Sequence, residues 1–210
     1  MAKLLYETQI KAVVVLLLVT FSLIDYSCVT ERSSIVLPAE IQWSKDGLKW
    51  EYFQEVISIP DKNIRAIGKI ATNIYYRFSD SVVVRGDTAT ILTKVYSVML
   101  PPKSYIKSSA IRKGLLEHEQ IHFDINELCA RKFRKEISER LFPFSEVKFF
   151  IYEIHQKYIS EMAELNQQYD AEHRDRVFGH DFWQKDLNAR ISYLEKYKDV
   201  EVVIKTLIKH

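Results

Sequence analysis

Residues 110 to 140 carry their apolar side chains at helical spacing, and this run constrains the chain more than any other. On a helix advancing ~100° per residue, Ile111, Leu115, His118, His122, Ile125, Cys129 and Phe133 fall in one stripe about 80° wide. Lys113, Glu117, Gln120, Asp124, Glu127 and Arg131 fall on the opposite side. The pattern predicts one long helix laid against a core, with its charged side in water. The dense basic run Arg131, Lys132, Arg134 and Lys135, followed by Glu136, Glu139 and Arg140, reads as such a solvated face. The apolar stripe holds two imidazoles, and each buried ring nitrogen needs a partner or costs a few kcal/mol.

Before this helix the pattern is strand-like, from about residue 34 to 100. In "KIATNIYYRFS" the side chains Ile70, Thr72, Ile74, Tyr76 and Phe78 alternate onto one face. "SVVV" and "TATILTKVYSVML" are β-branched runs on either side of Arg85–Asp87, whose Gly-Asp pair predicts a hairpin turn. That turn explains the Arg-Gly-Asp tripeptide without invoking adhesion. Pro101 and Pro102 end the strand, and Ser108 or Ser109 is expected to cap the helix that follows. A second helix is expected from 144 to about 173, with Tyr158, Met162, Leu165 and Tyr169 at helical spacing. A third is expected from about 180 to 197. The fold class expected is α+β, with a small, mainly antiparallel sheet in the N-terminal half packed with long helices of the C-terminal half. At 210 residues and 47% hydrophobic, the chain suits one core and is short for two domains. Thirty basic residues against twenty-eight acidic ones argue against a dedicated nucleic-acid binder.

The N-terminus reads differently. Lys3 and Lys11 precede thirteen uncharged residues, Ala12 to Ile24, too short to span a bilayer well but suited to the apolar core of an export signal. "DYSC" follows and ends at Cys28, where a lipoprotein anchor cysteine would stand, although Asp25 occupies a position that is usually aliphatic. Residues 1 to 28 are therefore read as a signal peptide or lipoprotein signal. The chain is expected to be exported, as a periplasmic protein or one anchored to the membrane through lipidated Cys28. The other cysteine, Cys129, is expected to be a buried thiol rather than a disulfide partner.

His118 and His122 stand at i and i+4, so both rings can reach one point about 2.0–2.1 Å from a Zn²⁺ ion. Glu119 lies roughly 80° around the helix, beside the ion rather than on it, where a carboxylate can serve as general base. The alternative is a structural pair of hydrogen-bonded histidines.

The segment "LLEHEQIHFDINELCARKFRKE" resembles the helix of the bacterial family known as domain of unknown function 922, described as secreted zinc-dependent proteases. "LKWEYF", "ATNIYY", "VMLPPKSYIK", "YDAEH" and Trp183 are similar to further segments of that family, so the resemblance covers nearly all of residues 29 to 210. It implies a single zinc metallopeptidase-like domain with a zincin-like active-site helix and a peptide or protein substrate. The family's late histidine suggests a third zinc ligand, but its position here is held by Asp175. His173 or Asp175 is the expected substitute, with Glu172 as a third option. His155 and His180 are expected at the surface or behind the ligands, and His210 carries no signal. Tyr169 is read as a core aromatic, with carbonyl polarisation as the alternative. The rival to an enzyme is a non-catalytic envelope protein that keeps the metal for structure.

Overall fold

β-branched and aromatic residues alternating in and out build the first half of the fold around one long hairpin. A computed structural model describes residues 37–57, 67–111, 113–175 and 179–208, though not the side chains of Lys113, Arg174 and Asp175. The signal read at residues 1–28, with Cys28, lies outside the described residues, as does His210. Leu37–His210 clusters as one compact unit.

The strands are β1 (Ile41–Gln42), β2 (Gln54–Val56), β3 (Gly68–Lys69), β4 (Thr72–Arg85), β5 (Thr88–Met99), β6 (Tyr105–Lys107), β7 (Leu141–Pro143) and β8 (Glu201–Leu207). The helices are α1 (Lys113–Glu139), α2 (Val147–Asp175) and α3 (His180–Tyr193). β4 and β5 form the expected hairpin, closed by Gly86 and Asp87, with Gly86 in the left-handed region at φ +57°. β4 takes in "TNIYY" and "SVVV" as one strand, with an irregularity between Phe78 and Val82. β5 sends Ala89, Ile91, Thr93, Val95 and Ser97 inward. It pairs antiparallel with β4, β1 and β8, and β7 joins β8 in parallel. A second sheet, β2-β6-β3, lies off the start of α1.

The architecture is mixed α and β, with mainly antiparallel sheets, but the halves are interwoven. β7 and β8 come from the helical half, for which the sequence pattern predicts no strand. Its alternation is plain in the structure: Val202, Ile204 and Thr206 face the core while Glu201, Val203 and Lys205 face out. Ser108 and Ser109 do not cap α1. They form a 3₁₀ turn, and the Ser108 hydroxyl bonds the Val56 carbonyl at 3.3 Å. The third helix stops at Tyr193, with a separate 3₁₀ turn at Glu195–Tyr197.

The expectation about the charged side of α1 is corrected. Cys129, Ala130, Phe133 and Ile137 pack against the larger sheet and α2. Ile121, Ile125 and Leu128 pack against α3, and Leu115 and Phe123 against the N-terminal segment. With neighbours all round, Asp124, Glu127, Arg131 and Arg134 are buried rather than solvated. Glu127 accepts from Arg131 Nε and from an Arg134 guanidinium nitrogen, each at 2.8 Å. Arg131 also donates to the Ile191 carbonyl at 2.9 Å and to Glu195 at 2.8 Å. Arg134 reaches the carbonyls of Tyr197 and Lys198 at 2.7 and 2.8 Å. The two guanidiniums thus hold the end of α3 and the turn into β8. Lys132, further round the helix, pairs with Glu161 nearer solvent. Cys129 is a free, buried thiol, and burial pushes its pKa up to about 12. Among the described residues no helix is long and apolar enough to cross a membrane.

Removing Glu127 would leave two buried cations short of their shared anion. Glu127→Ala is therefore expected to cost about 3–5 kcal/mol in urea unfolding, the range for breaking a buried ion pair. A loss under about 1 kcal/mol, the range of surface pairs, would show that water reaches this network.

Candidate metal centre

α1 and α2 run side by side, and each presents polar groups to one point. From α1 come His118 and His122, one turn apart. From α2 come Asn166, Tyr169, Asp170 and His173, spaced i, i+3, i+4 and i+7 on one face. The His118 and His122 Nε2 atoms are 3.2 Å apart. Asp170 Oδ1 lies 3.4 Å from the first and 3.2 Å from the second. The potential ligand atoms of all three residues lie within 4.8 Å of one another. The imidazoles are largely covered, with side chains 18% and 12% exposed, whereas the Asp170 side chain is 57% exposed, so the group opens to solvent on one side.

These separations test the fit of a metal. A tetrahedron with arms of ~2.0–2.1 Å has edges of about 3.3–3.4 Å, and the three observed edges lie within about 0.1 Å of that range. Two imidazole nitrogens and one carboxylate oxygen are a zinc donor set, with a fourth position left over. Without a cation or a proton between them, the facing lone pairs would repel. The residues around the group favour a ligand's protonation pattern. His122 Nδ1 lies 2.8 Å from Asn166 Oδ1, an acceptor, so it carries the proton and leaves Nε2 as a lone pair at the shared point. His118 stacks on Tyr169, ring centroids 4.9 Å apart, and its buried Nδ1 has no partner among the described residues.

The electrostatics fit the same picture. Burial works against the charge of Asp170, but hydrogen bonds from His118 and His122 outweigh it and hold the carboxyl well below the usual carboxylate range. Burial likewise opposes protonation of His122, yet Asp170, Glu119 and Asn166 together raise its pKa. Glu119 is 3% exposed, and its burial raises its pKa although the two imidazoles pull the other way. Its Oε2 accepts the Ile70 backbone N–H at 3.0 Å. The backbone before Ile70 comes so close that a Cβ on Gly68 would lie 3.3 Å from Glu119 Oε1 and 3.1 Å from Ile106 Cδ1. Only glycine leaves both neighbours in place.

The structure therefore gathers His118, Glu119 and His122 in one place. Among the described side chains the third converging ligand atom comes from Asp170, which the motif spacing does not point to, and not from Glu172 or His173. α2 runs unbroken to Asp175, and on that helix the Asp170 face is the Tyr169 and His173 face. His173 sits alongside, exposed, with its ring centroid 4.9 Å from that of His118. Glu172 is engaged elsewhere, accepting from Trp183 Nε1 at 2.8 Å and Gln168 at 2.7 Å. The Asp175 side chain lies outside the described residues. His155 bonds the Ile74 carbonyl at 2.8 Å and packs against Tyr76 and Phe133, while His180 lies 3.4 Å from the Tyr169 hydroxyl. Tyr169 itself is fully buried behind both imidazoles. No family model, curated protein or solved structure matches the chain, so the chemistry rests on its own side chains.

A chelator-competition titration should give one zinc per chain. Asn166→Ala is expected to weaken binding by about 10–100-fold, the usual effect of losing a group that orients a ligand. Asp170→Ala should cost more than that, and His173→Ala much less. If alanine at 173 is as damaging as at 170, His173 is a ligand and the three-residue set is wrong.

Proposed function

We propose that this chain is an exported zinc-dependent peptidase, with His118, His122 and Asp170 as metal ligands, Glu119 as general base and α1 as a zincin-like active-site helix. One observation carries the reading: three ligand atoms at tetrahedral spacing, open to solvent on one side, beside a buried carboxylate that is not among them. A structural zinc site is closed by four protein ligands, whereas a catalytic one keeps a position open. The peptide bond as substrate rests on the resemblance of the helix motif, and export on the N-terminal segment.

Zinc in this set would supply Lewis-acid polarisation of a carbonyl and of an attacking water. The chain's own residues do the rest. Glu119 Oε2 is anchored by the Ile70 N–H, which leaves Oε1 to take a proton from the water and return it to the departing amine. Its raised pKa suits a group that must hold a proton between those two events. Asn166 fixes the tautomer of His122, and Tyr169 backs His118. Asp170 supplies a negative charge that offsets the cation.

A second reading has its own observation. His173 stands close enough to His118 to join the group by a modest movement of an exposed side chain, and a fourth protein ligand would close the site. That would make a structural or vestigial metal centre in a non-catalytic envelope protein.

Glu119→Gln separates the two. It should leave zinc content and melting temperature nearly unchanged while lowering peptide hydrolysis about 10²–10⁴-fold, the usual worth of general-base assistance. Wild-type protein that holds zinc tightly yet cleaves nothing in a broad peptide library would favour the second reading. A Gln variant that loses zinc would make Glu119 a ligand.

A further inference from the structure

β4 is the outermost strand beyond β5, and no described strand pairs its other edge. Near its start that edge is used: His155 donates to the Ile74 carbonyl at 2.8 Å, whereas the Asn73 carbonyl, which Asn126 reaches, points toward β5 and Val98. Past the irregularity between Phe78 and Val82 the surroundings change. Val82, Val83 and Val84 are 42%, 52% and 59% exposed, so both faces of the strand are apolar and open. Neither a charge nor a proline interrupts the run between Asp80 and Arg85. Proteins usually blunt an edge of this kind with lysine, proline or an inward-pointing charge, because it templates pairing with another chain.

The register says which groups are on offer. A two-residue loop makes Arg85 and Thr88 a hydrogen-bonded pair, and alternation makes Val83 and Thr90 the next. The N–H and C=O groups of Val82 and Val84 therefore point to the open edge. Val82 and Val84 share the inward face with Ile91 and Ala89, which are buried, so the apolar core runs out to the edge and stops there uncovered.

We propose that this edge pairs antiparallel with the same segment of a second copy, across a two-fold axis at Val83. In that register Val82 meets the partner's Val84 and Val84 meets the partner's Val82, exchanging four N–H···O=C bonds. The strands then keep the same faces inward, as a sheet requires. Val83 meets its own equivalent. Asp80 comes beside Arg85 and Gly86 of the other copy, because the strand carries its acid at one end and its base at the other. That self-complementarity selects a second copy over a foreign strand, and it selects the antiparallel arrangement, since parallel pairing in register would stack like charges. The contact is smaller than the ~1,200 Å² of stable complexes, so the association is reversible and grows with concentration.

Disulfide trapping tests the register in the full chain carrying Cys28→Ser. Residues opposite each other in a non-hydrogen-bonded antiparallel pair stand about 4.5 Å apart at Cα, within reach of a disulfide. Under mild oxidation Val83→Cys should cross-link at least about tenfold faster than Lys103→Cys, an exposed control elsewhere, because pairing holds the two thiols at high effective concentration. Adding Val84→Lys should return it to the control rate at unchanged melting temperature. Cross-linking at the control rate overturns the proposal, and so does rapid cross-linking that persists with Val84→Lys.

Discussion

Most of the 27-residue helix α1 is buried, so most of its polar groups must find partners within the fold rather than in water. This constraint governs both ends of α1. At its C-terminal end two arginines and a glutamate meet the carbonyls that finish α3 and open the way into β8. Nearer its start Asn126 bonds the carbonyls of Asn73 and Val98, tying the helix to both strands of the long hairpin. Gln120 accepts the Leu48 N–H at 2.7 Å, and Asp124 takes the Trp43 indole N–H at 2.8 Å. The helix thereby anchors the sheet, the N-terminal segment and the last helix at once.

The two histidines are the same constraint at the point where the protein itself does not fully meet it. Asn166 satisfies one ring nitrogen of His122, but the two Nε2 atoms and the Asp170 oxygen face one another without a donor that serves them all. A proton shared within the trio is one answer, and a divalent cation is the other. The near-tetrahedral spacing favours the cation. Glu119 differs in kind, since the Ile70 N–H holds one oxygen while burial raises its affinity for a proton.

How far the sequence could be read follows from where each signal resides. The β4–β5 hairpin was legible because its alternation and its Gly-Asp turn are local. The inward histidines were legible because helical spacing alone sets their direction. The burial of Arg131 and Arg134 was not, since alternating charge looks the same whether water or distant partners neutralise it. Those partners, Glu195 and the carbonyls of residues 191, 197 and 198, lie some sixty positions away. Asp170 was hidden differently. Its spacing from Asn166 and His173 on one helical face was visible, but only the pairing of α2 with α1 shows that this face meets the histidines. β8 likewise owes its place to β5, its partner more than a hundred residues earlier.

X-ray absorption at the zinc edge tests the central claim most directly, because it counts the atoms around the ion without relying on activity. Zinc-loaded wild-type protein should show two imidazole nitrogens among four light-atom neighbours. Asp170→Ala should keep both imidazoles while the oxygen shell changes. Three imidazoles in the wild type, or a first shell that Asp170→Ala leaves untouched, would contradict the site described.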